Sequence, residues 1–297
     1  MRPQEAGFLL LTSKLGNPER KCLSTAQLRI LAQRVQGSEK PDVDADLKYP
    51  DIMALGYGEE MARRITGLLE EEELLAHYLR RGQRKGCVAL SRLHTQYPKV
   101  LRERLGLDAP GCLWAKGDVS ILDMPKVSLV GSRELMSENR RFAEEAGRQA
   151  AYQGYALVSG NARGADRAAQ DACLAAGGWV ISVVADQLDK QPIKARVLYL
   201  SEDGFSEEFS AARALSRNRV IHALGCKTLV AQCDYQRGGT WDGTVKNLKS
   251  GWSPVFCYRD GTRASEALAQ MGAELLEVDD LKGLDALQMP EMSLFTK

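Results

Sequence analysis

Histidine is scarce in this chain of 297 residues: only His77, His94 and His222 occur, too far apart in sequence to gather round a metal. The seven cysteines (Cys22, Cys87, Cys112, Cys173, Cys226, Cys233, Cys257) are scattered, and no two have Cys-x-x-Cys spacing. Neither a zinc site nor a disulfide framework is expected, and several of the thiols lie in apolar segments, as free buried cysteines do. That usage points to a reducing cytoplasm. No apolar run is long enough to span a membrane, and Met1-Arg2-Pro3-Gln4-Glu5 does not read as a signal peptide, so no membrane partner is expected. No P-loop lysine motif and no Gly-x-Gly-x-x-Gly follows any apolar run, which argues against a triphosphatase or a nicotinamide enzyme of the usual kinds. No cofactor is expected. Charge of one sign is missing as well: 40 Lys and Arg oppose 39 Asp and Glu, for a net charge of +1. A polyanionic partner would therefore need a local basic face rather than a basic protein.

What is present is ordinary for a globular chain, with 44% hydrophobic and 27% charged residues, and the length fits a main domain with a smaller appendage. Residues 126–166 organise the rest. The apolar run Val127-Ser128-Leu129-Val130 ends in Gly131-Ser132-Arg133, and a helix-length polar segment follows. A second run, Tyr155-Ala156-Leu157-Val158, then ends in Ser159-Gly160-Asn161-Ala162-Arg163-Gly164-Ala165-Asp166. Strand, loop, helix, strand, loop, helix is the repeat of a parallel sheet, whose ligands sit beyond the carboxyl ends of the strands. Gly131, Gly160 and Gly164 allow close backbone approach, Ser132 and Ser159 are neutral donors, and Arg133 and Arg163 are forked cations suited to phosphate. An anion site is expected here; tight strand-to-helix turns alone are the other reading.

Ahead of this stretch, residues 8–79 read as helices with polar breaks. Leu28, Leu31, Ala32 and Val35 are at helix spacing after Ser24-Thr25, residues 37–50 read as a loop, and one helix is expected to continue through Glu70-Glu71-Glu72-Glu73. Leu55-Gly56-Tyr57-Gly58 is similar to the turn of helix-hairpin-helix modules, or is simply a turn in a small bundle. From about Gly82 strands begin, at residues 86–90 and 112–117. Beyond residue 166, strands are expected at 179–184, 228–231, 254–258 and 273–276 and helices at 211–224, 243–249 and 264–271, while 187–210 looks irregular. Within the helix at 211–224, Arg217 and Arg219 share no face if both are mid-helix, but lie together if it begins near Ser216; Arg213 could add to the same field. Asn218 either contacts a base or fixes the loop. Gly239 and Thr240 form a loop beside Trp241, which is either a stacking platform or a core residue. Asp166 would repel phosphate and is expected to cap its helix or orient an arginine.

The ordered set Gly131-Ser132-Arg133, Ser159-Gly160-x-Ala162-Arg163-Gly164-x-Asp166 and Arg217-Asn218-Arg219 closely resembles the DprA/Smf DNA-processing family over about residues 8–280. The resemblance implies an α/β fold: a small all-helical SAM/helix-hairpin-helix-like domain (1–80), a Rossmann-like domain with an N-terminal extension (81–284) and a tail (285–297). It also implies single-stranded DNA in a positive pocket, a homodimer, delivery of the strand to a RecA-type recombinase, and no catalytic chemistry. The alternative is a regulatory member of the same fold, an antitoxin paired with a toxin protein in phage defence or a nucleotide sensor. A more distant likeness joins Gly238-Gly239-Thr240-Trp241-Asp242-Gly243-Thr244 to the loop of LOG-type nucleotide hydrolases, but Lys246 and Asn247 stand where those enzymes carry a glutamate. Finally, Glu291-Met292-Ser293-Leu294-Phe295 is similar to the peptide that docks bacterial sliding clamps.

Overall fold

The computed structural model describes residues 1–38 and 47–287. Five helices come first: α1 (Pro3–Thr12), α2 (Thr25–Gln36), α3 (Tyr49–Ala54), α4 (Glu59–Leu69) and α5 (Glu72–Arg84). Ser24 starts α2 as expected, its hydroxyl accepting from Gln27 N at 3.2 Å while Gln27 Oε1 accepts from Ser24 N at 3.0 Å. Leu11, Leu23, Leu31, Ile52, Ala62, Ile65 and Leu68 close a small core between α1, α2, α3 and α4. Three local expectations are corrected. Tyr49 and Pro50 open α3 rather than end a loop, proline being tolerated in a first helical turn. The run of four glutamates breaks the helix: Glu70 caps α4, and a new helix starts at Glu72. And α5 crosses residue 80 without a linker, because Tyr78 packs on Trp114 (ring centroids 5.2 Å) and Phe205 (4.5 Å) in the main core. Gly82 permits that approach, since a Cβ there would lie 3.2 Å from both Phe205 and Trp114.

A nine-stranded sheet forms the body, from β1 (Cys87–Ser91), β2 (Cys112–Lys116), β3 (Lys126–Val130), β4 (Ala156–Ser159), β5 (Trp179–Val183), β6 (Val197–Ser201), β7 (Thr228–Val230), β8 (Val255–Tyr258) and β9 (Glu274–Leu276). Their order is β1-β2-β6-β5-β4-β3-β7-β8-β9; β2 pairs antiparallel with β1 and β6, and every other pairing is parallel. The expected parallel α/β sheet is thus present, extended at one edge by the antiparallel pair β1–β2. β6 falls inside the stretch expected to be irregular. Only a short 3₁₀ turn (Leu188–Lys190) precedes it, so the strand–helix alternation that marks the other strands gives no signal there.

Helices cover both faces. α7 (Ser137–Tyr152) and α8 (Ala165–Ala175) share one core with Val127 and Leu129 of β3; α6 (Lys99–Leu105), α9 (Ala211–Leu224), α10 (Gly238–Ser250) and α11 (Arg263–Gln270) lie against the other face with Val130. α7 and α8 meet through small residues, so closely that a Cβ on Gly147 would be 2.1 Å from the Ala169 carbonyl oxygen. α10 begins five residues earlier than the glycines imply: Gly239 is helical because it faces α9, where a Cβ would lie 3.2 Å from Leu215. The chain winds from β3 outward to β6, then returns to place β7 on the other side of β3. That reversal opens a crevice at the carboxyl ends of β3 and β7, where open α/β sheets bind ligands. Residues 285–287, expected to begin the tail, still pack on this body, Leu287 O accepting from Lys227 Nζ at 2.9 Å. The clamp-like segment Glu291–Phe295 lies outside the described residues.

Candidate nucleic-acid interface

Three loops, after β3, β4 and β7, are tied together at the crevice. Ser132 N donates to Gln232 O at 2.9 Å, and Met136 N to Gln232 Oε1 at 2.9 Å. Ala165 N donates to Ser132 O at 3.1 Å, and Thr240 Oγ1 to Gly131 O at 3.0 Å. Two glycines are required by this closeness. A Cβ on Gly131 would lie 2.4 Å from that of Ala165, and Gly164, at φ +84°, would bring one within 2.4 Å of Ser132 O. The resulting cleft, of about 860 Å³, is lined by nine of the residues singled out in sequence: Gly131, Ser132, Arg133, Arg163, Asp166, Arg217, Asn218, Gly239 and Thr240.

Arg133 and Arg163 are exposed on its rim. Arg163 lies 3.4 Å from Glu134, but with the side chains 75% and 89% exposed this pair is worth little and leaves the cation available. A third cation, Arg237, lies beside them at the N-cap of α10, whose first turn has no side-chain cap. The free amides of that turn and the positive end of the helix dipole suit an anion. Phe209, 57% exposed, and the exposed Met136 and Leu215 supply apolar surface. Sequence reasoning missed Arg237 and Phe209. The first was hidden by reading Gly238-Gly239 as loop, the second by the acidic residues Glu207 and Glu208 before it.

Several expected site residues have other duties. Ser159 is wholly buried and accepts from Gln170 Nε2 at 2.5 Å, so it offers the cleft nothing. Arg217 and Arg219 are both mid-helix in α9 and, about 200° apart, point to different sides. Arg217 is 8% exposed and donates to the carbonyls of Gly160 and Val183. Asp166, 7% exposed, flanks the same glycine: a Cβ on Gly160 would be 2.7 Å from both the Arg217 guanidinium and Asp166 Oδ2. Asp166 Oδ2 accepts from Ala162 N at 3.1 Å. Burial pushes the Asp166 carboxyl up, against the opposing pull of Arg217 and of the Ala162 and Gly160 amides; burial likewise pushes Arg217 down, opposed by Asp166. The two form a buried strut under the 160–164 loop that carries Arg163. Arg219 turns instead towards a second cleft between the helical unit and α9, pairing with Glu202 at 2.7 Å and donating to Asp108 O at 3.0 Å.

Asn218 fixes the structure as one reading had it, donating to Gly239 O at 3.0 Å. Trp241 is a core residue, 6% exposed, with its ring edge-on to Tyr235 at 5.2 Å. Arg213 does not line the cleft; it pairs with Asp203 at 2.8 Å and donates to the carbonyls of Glu207 (2.9 Å) and Glu208 (2.7 Å), steadying the segment that presents Phe209. Asn247, where the hydrolase likeness would need an acid, is wholly buried and donates to Ser253 Oγ at 3.1 Å. At the hairpin Gly56 takes φ +81° and Gly58 caps α4, but Glu59 and Glu60 already occupy that helix's first turn, which favours the bundle turn over a phosphate contact. Among the described residues no group of three His, Cys, Asp or Glu could hold a metal, and no helix is long and apolar enough to cross a membrane.

Comparison with known proteins fits this geometry. A family model described as DNA recombination-mediator protein A matches residues 89–281. The DNA processing protein DprA of Streptococcus pneumoniae is 34% identical over 141 residues, covering 44% of this chain and 50% of that protein. The protein Smf of Synechocystis is 26% identical over 197 residues, covering 62% and 49%. The chain thus spans about half the length of these curated relatives. The crystal structure of the S. pneumoniae protein superposes with a TM-score of 0.72 at 26% identity, covering 97% of this chain and 99% of that one. A structure of DNA processing protein A from Helicobacter pylori, described for its single-stranded DNA binding mode, shares the fold with a TM-score of 0.57 at 22% identity, covering 67% of this chain and 94% of that one.

Proposed function

This chain belongs to the DNA recombination-mediator protein A family, the DprA/Smf proteins, and from that premise we propose that its switch-point cleft binds single-stranded DNA. The observation that carries the reading is the convergence of Arg133, Arg163 and Arg237 with the uncapped start of α10 and the exposed ring of Phe209 in one cleft. Cations along a backbone path and an aromatic face for a base are what a single strand needs. A duplex would bury its base faces and gain nothing from Phe209. The cleft's buried carboxylate, Asp166, is engaged by the Ala162 amide and Arg217, so the site binds rather than reacts. The same reading has a homodimer present the bound strand to a RecA-type recombinase, in keeping with the family's description as a recombination mediator.

Fluorescence anisotropy with labelled oligo-dT at several salt concentrations tests the cleft. Each phosphate neutralised on a single strand contributes a slope of about 0.7 in log K against log salt, so Arg133→Ala/Arg163→Ala should shallow it by about 1.4 and weaken binding. Retention of both the wild-type affinity and the wild-type slope in that variant would refute the site.

A further inference from the structure

Away from the cleft, a group of cations occupies an exposed face. Arg81 and Arg84 come from the last turn of α5 and Lys85 from its C-cap, while Lys190 and Lys194 come from the segment joining β5 to β6. All are exposed, and none of them joins an ion pair among the described residues. The two segments touch: a Cβ on Gly86 would lie 3.6 Å from Ile193 Cδ1 and 3.9 Å from Lys116 Cε, and Lys116 Nζ donates to Asp189 O at 2.6 Å. The β5–β6 segment also touches the loop that carries Arg163, Asn161 Nδ2 donating to Gln191 Oε1 at 3.4 Å. Of its own carboxylates, Asp186 accepts from Gln191 at 3.1 Å and Asp189 Oδ1 is buried.

Cations in the last turn of α5 are accounted for by the helix dipole. The dipole does not account for Lys190 and Lys194, which a different element brings up to them. Gathering like charges on one face costs energy that a bound anion would offset. Ile193, 75% exposed, adds a large apolar side chain to this basic face. Unpaired cations interleaved with apolar surface suit the backbone and bases of an extended strand better than an acidic protein, which would satisfy the charges and leave Ile193 idle.

We infer that this face is a second segment of the strand site. Single-stranded DNA leaving the cleft past Asn161 runs along Lys190, Ile193 and Lys194 to Arg84 and Lys85. The inference rests on the strand-binding reading of the cleft and adds a length requirement to it. The variant Arg81→Gln/Arg84→Gln/Lys85→Gln/Lys190→Gln/Lys194→Gln, its fold checked by thermal melting, is titrated with dT probes of roughly 6 and roughly 20 nucleotides. The short probe should bind as to wild type. The long one should bind about tenfold more weakly, with a salt slope shallower by about 2, as for about three lost phosphate contacts. Unchanged binding of the long probe overturns the inference and leaves the face to another anionic partner. Equal weakening of both probes overturns it too, since the substitutions would then be acting on the cleft. The Arg133→Ala/Arg163→Ala variant serves as the control that weakens binding of both probes. Wild type binding neither probe would remove the cleft reading itself, and this extension with it.

Discussion

Acid should destabilise the protein through His222, by an amount that follows from where the ring sits. It lies under the cleft on α9, 1% exposed, with Nδ1 3.2 Å from Asn247 Nδ2 and 3.3 Å from Thr228 Oγ1. Burial holds its pKa down at about 3, against an ordinary value of 6.5. In the unfolded chain the ring takes up a proton as the pH falls below 6.5; in the folded protein it does so only near 3. Between those values the unfolded state binds more protons, so stability falls as the pH is lowered. Each pH unit is worth about 1.4 kcal/mol, so at about pH 4.5 the loss is roughly 3 kcal/mol. Asp166 acts in the other direction, because its raised pKa makes the folded state hold a proton more tightly. Comparing wild type with His222→Gln cancels that contribution, which both proteins share. Urea unfolding of each at about pH 7 and about pH 4.5 gives the test. The variant should begin about 1–2 kcal/mol less stable, its amide fitting the Asn247 and Thr228 contacts imperfectly. Wild type should then lose about 2–3 kcal/mol more than the variant on acidification. Equal losses would show that His222 does not stay neutral in the fold, and the argument from its burial would fail.

Two further predictions separate binding from stability. Phe209→Ala should weaken oligo-dT binding by about 1–3 kcal/mol with little change in melting temperature. Trp241→Ala should instead cost about 3–5 kcal/mol of stability, since it empties a core position; the reverse pattern in anisotropy and melting would exchange their roles. Arg217→Ala should cost about 3–5 kcal/mol, measured by urea unfolding, because it leaves Asp166 buried beside a cavity and frees the carbonyls of Gly160 and Val183. A loss of DNA binding with unchanged stability would instead make Arg217 a direct ligand.

The alternation of apolar runs with Gly-rich loops was enough to specify the parallel sheet, eight of its nine strands, and the two loops that bear Arg133 and Arg163. These signals are local: strand hydrophobicity, glycine at a forced turn and helix capping act within a few residues. The third motif could not be resolved in that way. Arg217, Asn218 and Arg219 are adjacent in sequence, yet on a helix they diverge into a buried strut, a tie to α10 and a separate cleft. Trp241 and Ser159 likewise carry chemistry suited to a ligand, and only their neighbours decide that they face the core. Arg237 and Phe209 gain significance because strand order returns β7 to the side of β3, bringing segments distant from Arg133 and Arg163 in sequence to one crevice. Sequence determined most of the strands and the loops that end β3 and β4. Tertiary structure alone decided which cations remain in water, because that depends on what the fold packs against each side chain.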